Sequence, residues 1–428
     1  MNAIVDRAAR SQSAALSAPD PHTMPLADID VSRAGYYASD TVLPLFARLR
    51  AEDPVHFCAD GEAGSYWSVT RFEDVKYVDS RHDLFSSEIG GITIADLESN
   101  PEVRLDNFIS MDQPKHDQQR KTVAPSVAPT NLALLEPLIR ARVTDILDHL
   151  PVGETFNWVD LVSIELTARM LATLFDFPYA DRRKLIQWSD VATSSPQIMG
   201  EAGLSEAERA SAFADCANTF ASLWHERANK APGNDLISML AHGPSTRDMM
   251  SRPTEFVGNI MLLIVGGNDT TRNSISGGVL ALNQFPDEYR KLREQPKLIP
   301  NMISEVIRWQ TPVIHMRRTP FADVELGGKT IRAGEKVVMW YLSANRDESV
   351  FPDADRLIID RPNARSHVSF GFGIHRCMGN RLAEMQLRIL WEEIQRRFRH
   401  VEVVGPVVRV PNNFIRGIAD LPVQVHPH

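Results

Sequence analysis

Apolar and polar positions follow two rhythms along this chain. Ser65-Tyr66-Trp67-Ser68-Val69-Thr70 has the aromatic and β-branched content of a strand, and Arg71-Phe72-Glu73-Asp74-Val75 then begins a helix. From about Asn131 to Phe285 a helical rhythm dominates, with Leu132, Leu135, Leu138, Ile139 and Val143 on one face. Thr254 to Asn283 reads as one long helix, apolar on most sides and therefore predicted to run through the core. Phe285-Pro286-Asp287 stops it and caps the next. A helix over about Pro300 to Trp309, a hairpin from Val324 to Ile331 and a strand from Lys336 to Leu342 follow. Residues 343–376 carry no long period, which in a compact domain marks a functional connection. Met378 to Phe398 is again an amphipathic helix, and the last 25 residues are strand and loop.

At roughly 100–200 residues per domain, 428 residues would suggest two or three domains. No repeat or linker divides the chain, so we expect one large, mainly α domain with a small β-rich portion. Residues 1–35 read as a flexible, polar N-terminal tail before a domain over 36–428. An apolar fraction of 43% and a charged fraction of 24% exclude disordered, collagen-like and membrane-embedded classes. The net charge of −9 argues against non-specific nucleic-acid binding. Cys58, Cys216 and Cys377 cannot build a disulfide framework, and no CxxC pair offers zinc a site. No targeting segment is visible, and the apolar run Ile260 to Val265 is far short of a bilayer span. A soluble, cytoplasmic protein is expected.

The most informative stretch is Phe370-Gly371-Phe372-Gly373-Ile374-His375-Arg376-Cys377-Met378-Gly379, directly before a helix. The helix dipole and the neighbouring Arg376 and His375 favour a thiolate at Cys377. The glycines let the backbone turn tightly and lie against something flat. Such a loop can ligate haem iron through sulfur. A buried structural cysteine and an activated nucleophile are the competing readings. The pattern F-G-x-G-x-H-x-C-x-G resembles the haem loop of cytochromes P-450 at all six fixed positions. Chance agreement has odds on the order of 10⁻⁸ per starting point, at about one in twenty per position.

The resemblance runs from about residue 40 to the C-terminus and implies haem b with Cys377 as axial iron ligand. Phe370, Gly371 and Gly379 would contact the haem. Gly266-Gly267-Asn268-Asp269-Thr270-Thr271 interrupts the long helix with glycines and buried polar groups that need partners. Alone, it could be a kinked core helix whose polar side chains satisfy their own backbone. Beside the cysteine loop it resembles the family's widened oxygen-binding turn. Thr270 would then hold dioxygen and an ordered water, and Asp269 would relay protons. Glu305 and Arg308 share a helix face and, by the resemblance, brace the cysteine loop together with Arg356. Glu206/Arg209 and Glu393/Arg396 repeat the E-x-x-R spacing and are read as surface pairs. His116, Arg120, Arg318 and His375 match propionate contacts, with Arg317 beside Arg318 leaving that register open.

No room is left for a flavin domain, so electrons would come from a separate ferredoxin and ferredoxin reductase drawing on NADH or NADPH. Arg376, Arg381 and Lys115 would meet an acidic partner on the cysteine side. Segments matching substrate contacts bring Ile92, Leu262, Gly266, Val313, Ile314, Met316 and Phe414, an aliphatic set that suggests an apolar substrate. The runs at 266–274, 338–343 and 370–384 resemble the bacterial branch that hydroxylates the terminal carbon of medium-chain alkanes and fatty acids. The rivals are a terpenoid or sterol hydroxylase, a peroxide-driven variant, which the intact acid–alcohol pair disfavours, and a non-catalytic haem-thiolate gas sensor.

Overall fold

The computed structural model describes residues 16–98 and 100–428. Its principal helices are α1 (Leu43–Glu52), α2 (Phe72–Ser80), α3 (Lys115–Val123), α4 (Pro129–Asp148), α5 (Glu165–Leu174), α6 (Arg183–Ala192), α7 (Glu206–Ala228), α8 (Pro253–Gln284), α9 (Ile299–Gln310) and α10 (Asn380–Arg397). The 32-residue α8 is the spine. Its C-terminal half, with Ile275, Val279 and Leu282, packs in one core with Ile139 of α4, Val306 and Ile307 of α9 and Trp391 of α10. Its N-terminal half places Phe256, Ile260 and Ile264 against Phe213, Phe220 and Trp224 of α7. Each such fully buried side chain contributes about 1.5–3 kcal/mol, so a helix apolar on most faces has a stable place only inside. No helix among the described residues is long and apolar enough to cross a membrane.

The β portion is dominated by a five-stranded sheet in the order β1 (Val55–Gly61), β2 (Gly64–Val69), β8 (Val337–Met339), β5 (Met316–Pro320), β3 (Phe85–Ser86). β2 and β8 run parallel; β5 pairs antiparallel with β8 in the register Met316↔Met339, Arg317↔Val338, Arg318↔Val337. The expected hairpin forms from β6 (Val324–Leu326) and β7 (Lys329–Ile331), and β4 (Phe156–Asn157) pairs outside the large sheet, with Pro422–Pro427.

The strand predicted over Lys336 to Leu342 ends at Met339, and the chain turns into a short helix over Tyr341–Ala344. From Val337 the run has no polar alternation, so it carries no period by which to detect the change. Part of the predicted tail, residues 1–15, lies outside the described residues. Residues 16–35 are not a free tail: Ile29 and Val31 are fully buried beside Tyr37, Phe46 and Trp340. Residues 343–376 are irregular beyond single turns, as expected.

Candidate haem and substrate site

Cys377 stands just before α10, in a loop closed by its own N–H donating to the carbonyl of Phe370 (2.8 Å). Gly371 and Gly373 hold φ of 67° and 66°, a region costly for other residues. The thiol is open to a large internal cavity yet enclosed by protein, and burial pushes it up. The backbone N–H groups of Gly379 and Asn380 and the charges of Arg120 and Arg376 oppose that rise. Desolvation thus outweighs the dipole and charges that the sequence suggested would favour thiolate. A coordinated metal ion reverses the balance, since a coordinating thiol is deprotonated outright.

The cavity encloses about 1540 Å³ of atom-free space, its open mouth included. Cys377, Phe370, Gly371 and Gly379 line it, as do Arg120, Arg318 and His375. His375 and His116 lie ring against ring, with centroids 4.2 Å apart. Asp117 Oδ1 lies 2.7 Å from His116 Nδ1, and Ser87 Oγ lies 3.0 Å from His375 Nε2. The other two imidazole nitrogens, His116 Nε2 and His375 Nδ1, are buried without a partner. Burial, then the neighbouring Arg318, His116 and Arg120, hold His375 down at about 2.

Two unpartnered imidazole nitrogens beside Arg120 and Arg318, at one end of a cavity that presents a single thiol, fit a macrocycle with two carboxylates. Haem meets the requirement: sulfur for iron, and the Arg–His end for its propionates.

The structure resolves the Arg317/Arg318 register. Arg318 faces the cavity end and donates to Asp79 Oδ1 (2.8 Å), whereas Arg317 turns away to Asp96 (3.1 Å). Sequence reasoning missed Asp79. Buried in α2, it also accepts from the Tyr341 hydroxyl (2.8 Å) and the N–H of Phe372 (2.7 Å), joining the propionate end to the cysteine loop. An aspartate on the apolar face of a predicted helix was the available signal.

Across the cavity, α8 runs unbroken through Gly266 to Thr271, so the widened turn is not formed. Thr270 Oγ1, on the cavity wall, donates to the carbonyl of Gly266 (3.1 Å). A Cβ on Gly266 would meet nothing within 4 Å, whereas one on Gly267 would lie 2.7 Å from Leu171. The first glycine therefore leaves space over the cavity, and the second admits α5. Asp269 points elsewhere. Fully buried, it accepts from Asn268 (2.9 Å) and Arg272 (2.7 Å), and Arg272 reaches on to Asp190 of α6 (2.9 Å). Burial raises Asp269, to about 6; Arg272 opposes the rise and Asp190 adds to it. Arg272 and Asp190 were also missed, although a charge three residues after Asp269 in an apolar helix was a visible cue.

Glu305 and Arg308 are fully buried and paired in a two-point contact, 2.8 Å at both oxygens. The third member is Arg361 rather than Arg356: Arg361 Nε donates to Glu305 Oε1 (3.0 Å). The Arg356 side chain is exposed, and only its carbonyl joins in, accepting from Arg308 (2.9 Å). A pair five residues apart in an irregular loop offers no periodicity by which to choose. Arg308 also donates to the carbonyl of Asn345 (2.7 Å), whose side chain accepts from Val368 N–H (2.8 Å) just before the cysteine loop. The other two E-x-x-R pairs are not simple surface pairs. Arg209 is buried on Glu98, and Glu393 is buried among Arg140, Arg396 and Arg397.

Of the predicted pocket residues, Ile92, Leu262, Gly266, Val313 and Met316 line the cavity. Ile314 and Phe414 do not; they pack behind the wall, Ile314 N–H donating to the Phe414 carbonyl (2.8 Å). Phe108, Ile109 and Leu236 line it unforeseen. On the cysteine side Arg376 and Arg381 are exposed, but Lys115 is already paired with Glu255 (2.8 Å).

Residues 204–419 match the cytochrome P450 family. The chain is 36% identical over 414 residues to linalool 8-monooxygenase of Pseudomonas putida, covering 93% of this chain and 99% of that one. It is 32% identical over 416 residues to a methyl-branched lipid omega-hydroxylase of Mycobacterium tuberculosis, covering 94% and 96%. Cytochrome P450-153 from Novosphingobium aromaticivorans has a similar structure, with a TM-score of 0.86 at 48% identity over 93% of this chain and 99% of that one. A cavity-facing thiol before α10, a propionate-ready end and likeness along almost the whole chain converge: the protein belongs to the cytochrome P450 family of haem-thiolate monooxygenases.

Proposed function

We propose that the protein hydroxylates the terminal carbon of medium-chain linear alkanes or fatty acids, with electrons from a separate ferredoxin and its reductase. The observation that carries this reading is the cavity wall. Its charged side chains, Asp79, Arg120 and Arg318, gather at the propionate end, while Ile92, Phe108, Leu262, Val313 and Met316 supply aliphatic and aromatic surface elsewhere. A substrate held against that surface gains from burying hydrocarbon and meets no charged side chain on it. Likeness to a methyl-branched lipid omega-hydroxylase supports attack at the end of a lipid chain.

When bound, haem supplies the iron at which dioxygen is reduced and a C–H bond oxygenated. The Cys377 thiolate is the iron ligand. Arg120, Arg318, His116 and His375 would hold the propionates. The Thr270 hydroxyl donates a hydrogen bond into the cavity once released from the Gly266 carbonyl. Asp269, buried beside Arg272 and Asp190, would hold the proton that replenishes it. The exposed Arg376 and Arg381 offer cations to an acidic electron donor.

A terpenoid substrate is the second reading, favoured by the linalool 8-monooxygenase relative. Titrating the ferric haem-loaded protein with octane, dodecanoic acid, a monoterpene and a steroid separates the two. A low-to-high-spin shift with linear chains alone supports terminal hydroxylation, and a shift with the terpene or steroid alone overturns it.

A further inference from the structure

Successive side chains of a strand point to opposite faces, and β5 uses both. Met316 and Arg318 line the cavity. His315, just before the strand, and Arg317 face away from it, beneath residues 88–98. That segment forms no helix or strand, yet it supplies Ile92 to the cavity wall.

Side chains behind the segment hold it. His315 Nε2 accepts from the N–H of Ile94 (2.9 Å), and His315 Nδ1 donates to the carbonyl of Asn413 (2.9 Å). Burial keeps this imidazole neutral, down at about 3, so one tautomer serves both bonds. Lys336 donates to the carbonyls of Ile94 (3.0 Å) and Ala63 (2.9 Å) and pairs with Asp96 (3.0 Å). Arg317 pairs with the same carboxylate (3.1 Å), and its backbone N–H donates to the carbonyl of Ile92 (2.7 Å). Gly90 lies on the guanidinium, where a Cβ would stand 2.1 Å from Nη2. The N–H of Asp96 also donates to Gln197 Oε1 (2.8 Å), extending the tie to the short helix Pro196–Met199.

The geometry points to His315, Arg317, Lys336 and Asp96 as a polar clasp that sets how far Ile92 reaches into the cavity and thereby which carbon of a bound chain is hydroxylated. These are positioning residues; none lines the cavity. The clasp grips residues 92, 94 and 96 and backs Gly90, so loosening it moves the Ile92 side chain without touching the haem contacts. An ångström of displacement is enough to alter a reaction's outcome. The inference rests on the hydroxylase reading above.

The test uses haem-loaded protein with its redox partners and two variants. Lys336→Met removes the buried cation. Asp96→Asn removes a carboxylate whose side chain is 66% exposed, so the fold survives it. Amide exchange over residues 92–96 rises in both, and the ratio of terminal to next-carbon product from octane falls about tenfold, as a misplaced chain end requires. Lys336→Arg restores both readouts. Unchanged exchange overturns the clasp, and faster exchange with an unaltered product ratio overturns its positioning role. If the unaltered enzyme accepts no linear chain, the substrate reading fails by itself. The clasp is then judged by exchange and by the product ratio from the substrate that does give a spin shift.

Discussion

Glu305 accepts four hydrogen bonds while fully buried: two from Arg308, one from Arg361 and one from the N–H of Ile358 (3.0 Å). Glu305→Gln keeps the shape but leaves two buried guanidinium groups without a countercharge and turns an NH₂ toward donors. Removing one member of such a network costs about 3–5 kcal/mol. At about 2.1 cal/mol/K per residue, 428 residues give an unfolding entropy near ~0.9 kcal/mol/K, so Tm should fall by about 3–6 °C. Arg361→Met should cost a similar amount, because it strips the bond to Glu305 and those to the carbonyls of Pro352 and Asp353. Arg356→Ala truncates an exposed side chain and should stay within about 0.5 kcal/mol. Thermal unfolding of the haem-loaded variants, followed by circular dichroism and by the Soret band, compares the three. If Arg356→Ala lowers Tm as much as Arg361→Met, the reassignment of the third partner is wrong.

Cys377→Ala should abolish the red-shifted Soret band that a thiolate ligand gives the reduced carbon monoxide complex; a variant that keeps the band removes Cys377 as ligand. Thr270→Ala should divert reducing equivalents to peroxide, measured as NADH consumed per product, and unchanged coupling would take Thr270 out of proton delivery. Asp269 is raised from 3.8 to about 6, so it loses its proton as pH rises through about 6. Its contribution to stability is correspondingly fullest below 3.8 and lost across the same rise. Product formed per dioxygen consumed should decline between about pH 5 and 7, and Asp269→Asn should flatten that profile; an inflection that survives the substitution assigns it to another group. Ile92→Phe, on the cavity wall, should weaken the octane-induced spin shift, whereas Ile314→Val behind the wall should cost about 0.5–1.5 kcal/mol of stability and leave octane affinity unchanged. Equal effects on octane affinity would contradict the wall as drawn.

The parts legible in the sequence were those with a period or a dense local motif. The long helix, the hairpin and the cysteine loop each state themselves within a few dozen residues. What escaped was set by contacts between distant segments. Asp79 and Arg318 stand 239 positions apart, and Glu305 and Arg361 56 apart. Arg356 was the natural expectation because it sits in a recognisable loop, yet a backbone carbonyl there does what a side chain was expected to do. Ile314 and Phe414 read as pocket residues because their segments, Val313 to Met316 and Phe414-Ile415, match substrate contacts of the family. Which members of such a run face inward depends on the pairing of Ile314 with Phe414, and hydrophobicity alone does not record that.

The alternation along β5 has an evolutionary consequence. Met316 and Arg318 face the cavity and Arg317 is tied to Asp96 behind it, so on the reading proposed above one strand would carry a substrate contact, the tether of residues 88–98 and a charge for the cofactor. Because neighbouring side chains point apart, a mutation at Met316 alters the cavity face of the strand while the tie of Arg317 to Asp96 behind it stays in place. The strand thereby separates the lining of the cavity from the anchor of the segment behind it, and a lineage could vary the one, a codon at a time, without loosening the other.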